Sequence, residues 1–261
     1  MTEKNNKPIA FFDSGVGGIS VLNEAIKMMP NENYIYFGDS KNAPYGIKST
    51  SDVKKLTEKN IGFLIEKGVK AVVIACNTAT SASAEYLRGK YKEIPIIGVE
   101  PALKPAALSH PGEKVLVMAT PMTLAEKKFK TLMREYSDTA DIIPVPCGGL
   151  MEFVEAGILD GEEIEEFLNE VLTQEIKEGT TAIVLGCTHY PFIKESISKV
   201  MGHHVQIYDG GLGTATQLKR RLMRCGLLSA SNKRGSIDVI NSLDDEKILK
   251  LSEKLIYRED L

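Results

Sequence analysis

The sequence predicts an α/β protein of two similar, doubly wound domains with mostly parallel sheets and an active site in the cleft between them. Three observations carry this. Ala71-Val72-Val73-Ile74-Ala75-Cys76 is an apolar, β-branched run without polar alternation, the pattern of a strand buried on both faces of a parallel sheet. The same layout returns in Ala182-Ile183-Val184-Leu185-Gly186-Cys187, with Gly68 and Gly179 at matching distances upstream. Strand-like runs alternate with helical patterns along the chain, as βαβ units require. Each cysteine thus ends a strand before a helix, the edge where open α/β sheets bind ligands. A lone cysteine there usually packs as a small apolar residue. Two copies of the unit instead suggest two thiols facing one cleft.

In chain order, Pro8–Phe12 reads as the first strand and runs into Asp13-Ser14-Gly15-Val16-Gly17-Gly18, then a helix to about Met29. Glycines let backbone N–H groups approach an anionic ligand at a helix N-terminus. As a dinucleotide fingerprint the loop is poor, because Ser20 takes the last glycine position and an acid opens it. Asp13 suits either a helix cap or a substrate amino group. Tyr34–Phe37 is the next strand, and the loop after it carries Tyr45 and Gly46, which suit a ligand wall or a tight turn. A helix over 50–67, the Cys76 strand, a helix to about Tyr91, a short strand at 94–99 and a helix from Glu100 complete this unit.

The second unit opens with the strand Val115–Thr120, whose end occupies the place of Asp13-Ser14. Thr120 suits a cap or an anion ligand, with Pro121 near the first helical position. Prolines 144 and 146 push the strand 141–146 to a sheet edge. A short helix after Cys147 carries Glu152 and Glu155 on one face, and a long charged helix spans 161–177. After Cys187 come His189-Tyr190-Pro191 and a helix, a strand at 205–208, a helix over 214–224, a strand at 236–240 and a last helix over 244–257. The expected domains are 1–97 plus 210–261, and 98–209.

Composition narrows the function. The chain has 261 residues, 43% hydrophobic and 26% charged, ordinary for a globular protein with a sizeable core. A net charge of −3 gives no footprint for nucleic acid or an acidic membrane surface. The cluster Lys219, Arg220, Arg221 and Arg224 reads as a solvated helix face. No apolar run is long enough to span a bilayer, and residues 1–7 carry no signal-type segment, so a cytoplasmic protein with four free thiols is expected. There is no Cys-x-x-Cys pair and no zinc-type spacing of the four histidines, so no metal is expected.

Two thiols on opposite faces of a carbon acid suit racemisation, one taking a proton and the other returning one. A helix N-terminus is expected to lower a thiol pKa. Amides of Asn77, Thr78, Thr188 and His189 are placed to hold a substrate carboxylate, and Asp13 and His189 to relay the thiol protons.

Phe12–Gly18, Gly38-Asp39 with Pro44-Tyr45-Gly46, Ala75–Ala79 and Leu185–Pro191 together resemble the glutamate racemases of the aspartate/glutamate racemase family, over nearly the whole chain and in the same order. The resemblance implies a cofactor-independent enzyme making D-glutamate for peptidoglycan. It implies Cys76 and Cys187 as the acid/bases, Asp13 assisting the first and Glu155 with His189 the second. Substrate binding is implied for Asp13, Ser14, Tyr45, Gly46, Asn77, Thr78, Thr120, Thr188 and His189, in a homodimer. The sequence departs from the family at Ala119, and at Cys147-Gly148 with Glu152. A racemase for aspartate or another small carbon acid, and a non-catalytic amino-acid-binding protein, are the alternatives.

Overall fold

A computed structural model describes residues 3–257. Residues 1–2 and 258–261, the outer ends of the expected first domain, lie outside the described residues.

The first apolar run forms β1 (Ile9–Asp13), buried along its length, and the glycine loop leads into α1 (Ile19–Met28). β2 (Tyr34–Gly38) follows, then α2 (Thr50–Glu66), whose N-cap Ser49 accepts from the Asp52 amide. β3 (Ala71–Ile74) and α3 (Asn77–Lys90) flank Cys76, and β4 (Ile96–Gly98) is a short strand. After α4 (Leu103–Ser109), β5 (Lys114–Ala119) opens the second unit, followed by α5 (Pro121–Ala125) and α6 (Lys127–Tyr136). β6 (Asp141–Pro146) leads to α7 (Leu150–Glu155), α8 (Glu162–Val171) and α9 (Gln174–Lys177). β7 (Thr180–Leu185), α10 (Lys194–Met201), β8 (Gln206–Asp209), α11 (Gly211–Arg224), β9 (Ile237–Asn241) and α12 (Glu246–Ile256) complete the chain.

Two wholly parallel sheets result, ordered β4-β3-β1-β2-β9 and β6-β5-β7-β8. In the first, the chain steps from β1 out to β2 and returns to β3 on the other side, so the order reverses between β1 and β3. In the second it reverses between β5 and β7. A crevice opens at such a switch, outside the carboxyl ends of the strands. Both cysteine strands border a switch, which is why the repeated unit builds one site. The prolines of β6 are tolerated because it is an edge strand. One apolar cluster runs from Phe11 and Val73 of the first sheet to Met118 and Leu185 of the second, so the two sheets share a core.

Three expectations need correction. The long helix over 161–177 is two helices, because Leu172 turns out of helical geometry to bury its side chain and Thr173 is extended. The helix expected from Glu100 starts at Leu103. Cys187 is followed by a 3₁₀ turn, Tyr190–Ile193, before α10, so the two cysteine units end differently.

Candidate active site

Cys76 and Cys187 line one small cavity. Ser14, Tyr45, Gly46, Asn77, Thr78, Thr120, Thr188 and His189 line it too. Of the residues expected to catalyse or to bind substrate, Asp13 and Glu155 stand behind this wall. Met151 and Gly186 were missed. Gly186 had a signal: it stands where Ala75 stands in the first copy, and a methyl group there would sit 2.8 Å from Ala119 Cβ.

The first thiol is built on β3 and α3. Cys76 is the N-cap of α3, and its sulfur accepts from the Ala79 amide at 3.4 Å while the thiol donates to Ser14 Oγ at 3.6 Å. The expected lowering of its pKa is reversed. Burial and the nearby Asp13 charge raise the thiol above its usual range, against the pull of Ala79 and Ser14. Asp13 is fully buried, and burial also raises its carboxyl, opposed mainly by His189. Its Oδ2 accepts from Gly18 at 3.0 Å and Gly15 at 3.3 Å, and Thr188 Oγ1 donates to Oδ1 at 3.4 Å.

The second thiol meets an imidazole where the first meets a helix amide. Cys187 Sγ lies 3.7 Å from His189 Nδ1, and His189 Nε2 lies 2.7 Å from Glu155 Oε1. Of the two glutamates on α7, it is Glu155 that reaches the histidine. Burial opposes charge on His189, but the bonds to Cys187 and Glu155 outweigh it and hold the imidazole well above its ordinary range. Burial likewise opposes charge on Glu155, yet His189 and the Val16 amide hold its carboxyl below the usual value.

The glycine loop departs from the anion-cradle expectation. Its amides are taken by the protein's own carboxylates: Gly15 and Gly18 by Asp13, and Val16 by Glu155 Oε1 at 2.7 Å. The glycines admit side chains from the other sheet. A Cβ on Gly15 would sit 1.8 Å from Glu155 Oε1, and one on Gly17 would sit 2.2 Å from His189 Nδ1.

Hydroxyls line the remaining wall. Thr120 caps α5, and its Oγ1 lies 3.3 Å from Thr78 Oγ1 across the two sheets. Tyr45 is anchored by donating to Asp39 Oδ2 at 2.6 Å, with Asn60 donating to the same oxygen at 2.9 Å. Asn77 Oδ1 is buried without a partner, free to meet a polar group of a ligand. Cys147, the third buried thiol, is outside the cavity; burial pushes it up to about 12. Among the described residues no cluster of three or more His, Cys, Asp or Glu could hold a metal ion, and no helix is long and apolar enough to cross a membrane.

Two parallel sheets that bring a thiol each to one enclosed cavity define a class, and comparison with known proteins gives it a family. Residues 14–218 match the Asp/Glu/Hydantoin racemase family model, and the chain belongs to that family; it is an isomerase. It is 57% identical over 254 residues to a glutamate racemase of Clostridium botulinum, covering 97% of this chain and 98% of that one. Among solved structures, the glutamate racemase of Francisella tularensis in complex with D-glutamate superposes with a TM-score of 0.83 at 31% identity, covering 98% and 96% of the two chains. The Escherichia coli enzyme in complex with L-glutamate and the activator UDP-MurNAc-ala gives 0.83 at 27% identity, covering 95% of each.

Proposed function

We propose that this protein interconverts L- and D-glutamate by a two-base mechanism in which Cys76 and Cys187 work on opposite faces of the α-carbon. The observation that carries the reading is the pair of thiols at one enclosed cavity, each beside its own proton-handling group. The 57% identity to a glutamate racemase supports glutamate as the substrate.

In the direction from L-glutamate, the Cys187 thiolate takes the α-proton and the C–H electron pair stays on the α-carbon. The Cys76 thiol gives its proton to the opposite face and is left as thiolate. His189, which holds the Cys187 proton in the resting thiolate–imidazolium pair, releases it to solvent and takes the new proton from Cys187, while Cys76 regains a proton from solvent through Asp13, which resets the pair. The contacts support this: His189 Nε2–H donates to the Glu155 carboxylate, and Nδ1 faces the Cys187 sulfur. The raised pKa of Cys76 suits a group that holds a proton ready to donate. The orphan Asn77 Oδ1, with the Thr78, Thr120 and Thr188 hydroxyls, suits the amino and carboxylate groups of an amino acid.

The sheet membership of β9 supports two domains, 1–97 plus 210–261 and 98–209, that close on the substrate. A cytoplasmic homodimer supplying D-glutamate to peptidoglycan completes the reading. Deuterium wash-in decides it: in D₂O the enzyme should place deuterium at the α-carbon of glutamate and not of aspartate. No exchange with either glutamate enantiomer would overturn the reading.

A further inference from the structure

Beyond the thiols and their partners, one polar chain reaches the site from the far edge of the first sheet. Asn241 ends β9, the edge strand, and is buried. Its Nδ2–H donates to Ser40 Oγ at 2.9 Å, and Ser40 donates to Glu155 Oε2 at 3.4 Å. Neither residue lines the cavity. Asn241 is itself fixed, since its Oδ1 accepts from the Leu243 amide at 2.9 Å. The parallel pairing of Gly38 with Asn241 sets the register that brings the two together.

We propose that Ser40 and Asn241 are positioning residues that hold the Glu155 carboxylate onto His189, so that the first sheet completes the base beside Cys187. This rests on the reading of Cys187, His189 and Glu155 as one of two acid/base sets. Glu155 Oε1 is already committed to His189 and Val16, so rotation of the carboxylate is stopped only by a donor on Oε2. Ser40 is that donor, and Asn241 orients it by occupying one of its lone pairs. That leaves the hydroxyl proton directed at Glu155. Ser40 and Asn241 belong to the first sheet's side, whereas Glu155 and His189 belong to the second. The base on the Cys187 side is therefore complete only while the two sides are together. Asp13 differs, since the Gly15 and Gly18 amides that hold it come from its own loop.

The test reads Glu155 directly. The groups facing its carboxylate are His189, Ser40 and the Val16 amide, with the Asp13 carboxyl on β1 and the uncharged Tyr36 phenol on β2 nearby. In carbon-13 glutamate-labelled protein, with the Glu155 signal assigned through Glu155→Gln, Ser40→Ala should raise the carboxyl titration midpoint by about half a unit, because a donor to the charged form is lost. Ser40→Thr should restore it. In turnover, Ser40→Ala should lower kcat about three- to tenfold and leave KM within about twofold, with a larger loss at pH 5.5 than at pH 8. Asn241→Ala should act in the same direction, and adding it to Ser40→Ala should cost little more. An unmoved Glu155 midpoint in Ser40→Ala, or strictly additive losses in the double variant, would overturn the proposal. If the wild-type protein fails to racemise glutamate, the functional reading has failed, and the Glu155 titration still decides the relay.

Discussion

Glu155 Oε1 meets His189 Nε2 at 2.7 Å, and with the Val16 amide on the same oxygen the contact ties the two sheets together over the site. The imidazole is thereby fixed in orientation, with one nitrogen on carboxylate and the other on sulfur. Glu155→Gln keeps the shape and removes the charge. It should lower kcat by about 10²-fold, in the range of one general acid–base group. Its effect on stability should depend on pH. Glu155 has a lowered carboxyl pKa, so its contribution is present above the unfolded value and lost as pH falls through the folded one. His189 has a raised pKa, so its contribution is present below its unfolded value and lost as pH rises through the folded one. Urea unfolding should show Glu155→Gln less stable than wild type by about 1–3 kcal/mol at pH 6, with the gap closing as the pH falls below 4. A gap that is unchanged at low pH would mean the loss is steric.

The glycine loop gives a sharper structural test. Gly17→Ala would push a methyl group into the His189 ring, whose Nδ1 lies 2.2 Å from the Cβ position. The ring has buried walls and little room to retreat, being 2% exposed. Racemisation should fall by about 10²-fold or more, since a displacement on the order of 1 Å at a catalytic group costs that much. Far-UV circular dichroism should be unchanged. Wild-type turnover in Gly17→Ala would mean that His189 is not needed where it stands.

Much of this was legible in the sequence, and the limits have physical causes. Cys76 and Cys187 were found because unalternated apolar runs mark parallel strands, and a strand's last residue must sit at the ligand edge. Thr120 was found as a cap because Thr-Pro at a strand end is a local signal. Glu155 and Glu152 could be placed on one face of α7 but not told apart by contact, since which one reaches His189 depends on how α7 docks. Ser40 and Asn241 were invisible because 201 residues separate them and only the β2–β9 register joins them. The glycine loop was read as an anion site, and the anions turned out to be Asp13 and, from 139 residues away, Glu155. Local sequence shows that amides are free, but not which carboxylate the fold will bring.

Far from the site, Lys70 and Glu32 form a buried ion pair under the amino-terminal edge of the first sheet, with Lys70 also donating to the Asn5 carbonyl and Glu32 accepting from the Ser229 amide at 2.7 Å. The lysine side chain has no exposure and the glutamate 3%. Lys70→Met should destabilise the protein by about 3–5 kcal/mol, because it strands a buried carboxylate. Adding Glu32→Gln should recover part of the loss, and kcat at low temperature should stay near wild type in both. A Lys70→Met variant as stable as wild type would show that water reaches Glu32.

The two thiols should be separable by isotope and by reagent. Serine is nearly isosteric with cysteine but a far weaker acid, so neither Cys76→Ser nor Cys187→Ser can readily form the anionic base. Each should lose racemisation by about 10²–10⁴-fold, with glutamate binding less affected, since in the proposed reading hydroxyls and an amide side chain rather than the thiols meet the substrate's polar groups. In D₂O the wild-type enzyme should place deuterium mainly in the product enantiomer. The donating thiol has exchanged with solvent, while the abstracted proton leaves on the other sulfur. A single base working on both faces would return some of the substrate's own proton. Alkylation adds an independent reading. Cys225 is exposed and Cys76, Cys147 and Cys187 are buried, so a brief treatment should label Cys225 with activity intact. Loss of activity should follow labelling of Cys76 or Cys187, and saturating glutamate should slow it. Chelators and carbonyl-trapping reagents should leave turnover unchanged. Substantial return of the substrate proton, or a Cys187→Ser variant racemising near the wild-type rate, would rule out the two-thiol mechanism.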